Sequence, residues 1–196
     1  MNALRVIMML AISAGALTSP ALLPAAAAQG APAYTAADVQ FMQGMIHHHA
    51  QALVMAAMAP THGASARVRL LCEKITLSQR DEINMMRQWL AFRKQAVPDS
   101  ADHRMMAMML MPGMLNAEQL RQLDASRDTA FDRLFLTDMI QHHTGALKMV
   151  ADLIATPPSG QESEIFRFIT DVDADQRAEI AVMQQMLYNL QGSTAP

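Results

Sequence analysis

Cysteine is nearly absent from this chain: Cys72 stands alone among 196 residues. No internal disulfide framework is therefore available, and stability has to come from a buried core. The length suffices for one domain with such a core. Cys72 itself reads as a small core residue ahead of a soft metal ligand. Aromatics are scarce as well, with six Phe, two Tyr and one Trp. No stretch alternates as a half-buried strand does, so the expected class is all-α. No basic stripe is present and the formal charge is −3, which argues against nucleic acid as a partner. Beyond the N-terminal segment, no run is long and apolar enough to span a bilayer.

Missing motifs exclude several chemistries. There is no Gly-x-Ser-x-Gly and no Gly-rich phosphate loop, so no enzyme is expected. Glu-x-x-His does not occur, which removes the signature of a di-iron carboxylate bundle. Without Cys-x-x-Cys-His, haem is restricted to non-covalent binding through Met and His. There is no EF-hand loop for calcium, and one Cys is a poor start for structural zinc.

The N-terminus has the layout of a secretory signal peptide. Met1 to Arg5 is short with one positive charge, Val6 to Leu17 is mostly apolar, and Ala26-Ala27-Ala28 offers a small-residue cleavage site. Cleavage after Ala28 leaves Gln29 to Pro196 with a formal charge of −4, since Arg5 is lost. An uncleaved anchor is the competing reading, but the apolar run is short and Pro20 and Pro24 follow it. The expected location is periplasmic or secreted, with no membrane span in the mature chain.

Residues 29–36 form an Ala/Pro/Gly-rich leader, residues 37–191 the domain and residues 192–196 a tail. Thr35-Ala36-Ala37-Asp38 fits a capping box that opens a helix running to about Ala59. Pro60-Thr61-His62-Gly63 breaks it, and a second helix spans about Ala64 to Lys94. A Met-rich connector, residues 96–128, ends in a short helix capped by Asn116. Two further helices follow, from about Thr129 to Ala155 and from about Glu162 to Gln191, separated by Pro157-Pro158 and Gly160.

The chain repeats itself. Met45-Ile46-His47-His48-His49 through Met55 aligns with Met139-Ile140-Gln141-His142-His143 through Met149 at an offset of 94. Gln79 to Met86 aligns with Gln176 to Met183 at an offset of 97. Residues 37–95 and 129–191 are thus two copies of one helical hairpin. Neither hairpin buries its apolar face alone, so the simplest product is an antiparallel four-helix bundle.

Met is abundant, with 19 residues, of which Met1, Met8 and Met9 fall in the signal segment. Met fills gaps in cores, and its thioether is also a soft donor suited to Cu(I). On a helix, Met45, His48, Ala52 and Met55 form one stripe, and Met139, His142, Ala146 and Met149 the matching one. His49 and His143 lie four residues from Met45 and Met139, within side-chain reach on a helix. Each repeat therefore offers imidazole and thioether donors. His48 and Met55 are about 10 Å apart along the axis, so Met55 and Met149 mark either a second site or core. Glu82 and Glu179 share a face with Met86 and Met183. They either orient a histidine through its other ring nitrogen or stand as surface charges.

The plain reading competes at every position. A lone helical His is usually structural, and a Met stripe is more often core than site. Adjacent His pairs in both repeats are harder to dismiss, although duplication copies a structural feature as readily as a site. His62 and His103 are candidate accessory ligands, and His47, facing Gln141 in the alignment, ranks below His48. Met105, Met106, Met108, Met109, Met111 and Met114 read equally well as a thioether trap or as bundle cover. Mixed imidazole and thioether donors favour Cu(I) or Ag(I), with Cu(II) open to imidazoles.

At these motifs the chain resembles the periplasmic "domain of unknown function 305" family, whose members include copper-binding proteins. The matching residues are Met45-Ile46, His48-His49 and Met55, with Met139-Ile140, His142-His143 and Met149. The Gln-x-x-Glu-Ile-x-x-Met pattern at Gln79 to Met86 and Gln176 to Met183 also matches. So do Met111-Pro112-Gly113-Met114-Leu115 and the Phe131 to Leu136 lead-in. Where the family carries Pro before the His pair, this chain has His47 and Gln141. The resemblance implies a ferritin-like bundle that handles copper, with copper-handling proteins as partners. The expected function is an exported copper or silver binder for buffering, tolerance or delivery. The alternative is a Met-rich interaction or stress-response bundle without tight metal binding.

Overall fold

The computed structural model describes residues 34–99 and 110–192. Those residues form five helices and no strand. They are α1 (Ala36–Ala56), α2 (Ala66–Phe92), α3 (Ala117–Ala125), α4 (Asp128–Ile154) and α5 (Ser163–Gly192). The first 33 residues lie outside the described residues, as do His103, Met105, Met106, Met108 and Met109. None of the described helices is long and apolar enough to cross a membrane.

Local chemistry sets the helix ends. Thr35 accepts from the Asp38 backbone N–H while the Asp38 carboxylate accepts the Thr35 N–H, closing the capping box read from the sequence. Asn116 and Gln119 make the same reciprocal pair at the start of α3. α1 stops at Ala56 rather than Ala59, because the chain tightens into three-residue turns, with Met58 and Ala59 bonding to the carbonyls of Met55 and Ala56.

α1 packs along α2, α4 packs along α5, and the two pairs meet where α1 faces α4. α2 presents one buried stripe, Val68, Leu71, Cys72, Ile75, Gln79, Ile83, Met86, Trp89 and Leu90, apolar but for Gln79, while the remaining residues are partly or fully exposed. α1 differs, being buried without a break from Met45 to Ala52. It has α2 on one flank, α4 on another and residues 111–115 lying against it, so no face is left for solvent.

The core is split. One apolar cluster combines Ala52 and Met55 of α1, Leu71 and Ile75 of α2, Phe131, Phe135 and Met139 of α4, and Met183 of α5. The other combines Phe41 and Met45 of α1, Ile83 and Met86 of α2, Val150 of α4, and Phe168 and Val172 of α5. Each cluster draws on both hairpins. Between them along the chain, α1 carries His48 and His49, and α4 carries His142 and His143, all without solvent exposure. Two aspartates tie the hairpins at opposite ends. Asp38 accepts the backbone N–H of Gly160 in the α4–α5 turn, and Asp132 accepts that of Ser65 in the α1–α2 turn.

A candidate soft-metal centre between the hairpins

At the α1–α4 crossing the rings of His48 and His142 lie 3.9 Å apart, centroid to centroid. Their helices place them there because each sits on the innermost stripe of its helix. The Nε2–H of His48 donates to the carbonyl of Pro112 at 3.0 Å, which leaves its Nδ1 lone pair without a partner. His142 has no hydrogen bond at either ring nitrogen. Burial, reinforced by the neighbouring histidines, pushes His48 down to about 3 and His142 well below its ordinary value. Both are therefore neutral imidazoles at physiological pH, the form that ligates metals.

The flanking histidines are held from outside. His49 Nε2 donates to Glu82 at 2.5 Å and His143 Nε2 donates to Glu179 at 2.6 Å. The same contact thus occurs in both hairpins. The imidazoles are wholly buried, while the Glu82 and Glu179 side chains remain 12% and 19% exposed, so each carboxylate spans from the interior to the surface. The carboxylate fixes the ring and its tautomer, with Nδ1 left bare on each. Gln79 and Gln176, one turn before these glutamates, are also buried with unpartnered amide atoms. Each such orphan costs about 1–3 kcal/mol, so this layer is not what maximal stability would select.

The structure distributes the sequence candidates unevenly. His48, His49, His142, His143, Glu82 and Glu179 come together in the polar layer. Met45 and Met86 share one apolar cluster; Met55, Met139 and Met183 share the other. Met149 sits half-buried at the cluster edge. Among the described residues, no three His, Cys, Asp or Glu side chains converge as a metal-ligand group. Two imidazoles are the nitrogen donors brought together, and any further donor to the same ion has to be a thioether or a side chain that turns. His62 is committed elsewhere: it bonds to Asp124 and packs against Phe131, linking the α1–α2 turn to the end of α3. Cys72 is buried in the core, its thiol pushed up to about 12 by burial, which suits a core residue and not a thiolate ligand.

One participant escapes a reading of the repeats. Residues 111–115 run as a strap through the groove between α1 and α4. Pro112 holds His48, and Gln51 exchanges two bonds with the backbone of Leu115 at 2.7 and 2.9 Å. Gln141 donates to the Gly113 carbonyl. Two glycines permit this approach. Gly113 has φ +78°, and a Cβ on Gly145 would lie 1.9 Å from the Pro112 carbonyl oxygen. The signal was present in Pro112-Gly113 and in Gly145, where the first repeat has Gln51, but only the fold pairs them.

A family model described as domain of unknown function (DUF305) matches residues 38–187. The chain belongs to the DUF305 family. Among solved structures, a DUF305 fragment from Deinococcus radiodurans is 32% identical, with a TM-score of 0.66 over 81% of this chain and 99% of the other. A DUF305 protein from Streptomyces coelicolor, named as provisionally secreted, is 25% identical, with a TM-score of 0.67 over 79% and 94%. CopM in its Cu(I)-bound form is 28% identical, with a TM-score of 0.60 over 80% and 98%. CopM was also solved in Cu(II)-bound and Ag-bound forms. No curated protein matches this chain.

Proposed function

We propose that this DUF305 protein binds copper, Cu(I) foremost with Cu(II) and Ag(I) as further cargo, and serves outside the cytoplasm in buffering, tolerance or delivery. The observation that carries the reading is the His48–His142 pair: two neutral imidazoles in contact, walled off from water, with His48 Nδ1 and both His142 nitrogens satisfied by no protein group. Neutral imidazole with nearby thioether is a soft to borderline donor set. Similarity to CopM, solved with Cu(I), Cu(II) and Ag, supports copper as the cargo. In this reading His48 and His142 are the primary nitrogen ligands. His49 and His143 join through Nδ1, Glu82 and Glu179 orient them, and the buried Met45, Met139, Met55, Met86 and Met183 are the thioether pool.

We read the two helix pairs as an antiparallel, ferritin-like four-helix bundle descended from a repeated hairpin, preceded by a cleaved signal peptide. The protein acts as a binder and not as an enzyme, with copper-handling proteins as its exchange partners. The test is anaerobic titration with Cu(I) against a competing chelator, with Zn(II) in parallel. Tight Cu(I) and weak Zn(II) uptake is expected, and His48→Ala with His142→Ala should weaken it at least tenfold. Equal affinity in parent and double variant would remove these histidines from the site.

A further inference from the structure

The strap brings a second thioether side chain to a place where the repeated motif supplies Met149 alone. A Cβ on Gly44 would lie 3.1 Å from the Sδ of Met111 and 3.6 Å from the methyl carbon of Met149. Two thioether side chains, one from the strap and one from α4, thus converge on the bare backbone of α1. Gly44 is one helical turn before His48. Any larger residue there would fill the space that the two thioethers share. Both methionines are half-buried, whereas His48 and His142 have no solvent exposure. The adjoining residue, Pro112, supplies the carbonyl that occupies His48 Nε2.

We propose that Met111 and Met149 form an entry site for a soft monovalent ion, Cu(I) or Ag(I), which then passes to the imidazole layer. The assignment rests on the copper reading of that layer. Two thioethers hold such an ion loosely, which suits a transfer point better than a store. An ion seated on Met111 is one residue from the Pro112 carbonyl. Movement of the strap with the ion therefore frees His48 Nε2 as well as exposing its ring. The strap is anchored beyond this point by the paired Gln51–Leu115 bonds, so the displacement is confined to its Met111 end.

The test uses Met111→Leu with Met149→Leu, a change that conserves volume and costs little in packing. Transfer of Cu(I) from a chromophoric chelator is followed by stopped flow, and the equilibrium affinity by competition with the same chelator. The loading rate should fall at least tenfold while affinity stays within about threefold. In the parent, methyl NMR of the methionines should show the Met111 and Met149 signals shifting with substoichiometric Ag(I). An unchanged rate with unmoved methyl signals would make the two residues packing only and overturn the proposal. A loss of affinity without a loss of rate would make them ligands of the final site and overturn it equally. If the parent itself takes up no Cu(I), it is the copper reading that fails.

Discussion

The carboxylate of Asp38 accepts the backbone N–H of Gly160 at 2.7 Å, across the boundary between the hairpins. The same carboxylate caps α1 through Thr35. Asp38→Ala therefore strands a buried N–H and removes a helix cap at once, and should cost about 2–3 kcal/mol. Asp132→Ala releases the Ser65 N–H at the other end and should cost about 1–2 kcal/mol. Urea denaturation checks both. The two sites share no partner, so their costs should add within about 0.5 kcal/mol.

His142→Leu should leave the metal-free protein as stable as the parent or about 1 kcal/mol more stable. The ring makes no hydrogen bond to lose, and both of its nitrogens are buried without partners. His48→Leu should gain less, because the Pro112 carbonyl then loses its donor. Copper affinity should fall for both. Denaturation of the metal-free variants beside chelator competition would expose this opposition of stability and binding.

Acid should destabilise the metal-free fold earlier than carboxylates alone would make it. Folding holds His48 near 3 and His142 well below its ordinary value, while the unfolded chain protonates both near 6.5. Their contribution is present above 6.5 and is lost as pH falls below it, by up to about 1.4 kcal/mol per pH unit for each ring. Asp138 opposes this. Burial raises its carboxyl to about 6, so the folded state takes up a proton there before the unfolded chain does. Denaturation from pH 7 to 5 should show stability falling, with a shallower slope in His142→Leu and a steeper one in Asp138→Asn.

Glu82→Gln and Glu179→Gln keep a side chain of the same shape but remove the charge that orients His49 and His143. Each should lower Cu(I) affinity about 10- to 100-fold with a stability change under about 1 kcal/mol. An affinity unchanged in both variants would reduce these contacts to surface electrostatics.

Gly145→Ala should dislodge the strap, since the added methyl group meets the Pro112 carbonyl oxygen at 1.9 Å. A loss of about 1–3 kcal/mol is expected, with increased proteolysis at residues 111–115.

The all-α class and the positions of the helices were legible in the sequence because they depend on near neighbours. Thr35-Asp38 and Asn116 announce helix starts locally, and the α2 stripe announces its own buried face. The histidine pairs were legible because they occur twice. Their arrangement was not. Spacing on one helix links Met45 to His48, whereas the fold sets His48 against His142 and sends Met45 into a core cluster. The strap was opaque for a related reason. Its contacts join Pro112 to His48 and Leu115 to Gln51, each 64 residues apart, and no local periodicity encodes such a separation. The offset of 94 between the histidine motifs does relate Asp38 to Asp132, but not the loop each one grips.

Both apolar clusters are built from α1, α2, α4 and α5 together. An isolated hairpin consequently owns half of two cores and the whole of neither. In physical terms the two hairpins form one cooperative unit, and neither is expected to fold alone. A single chain leaves the two hairpins free to differ at aligned positions, as at His47 and Gln141 or Gly44 and Asp138.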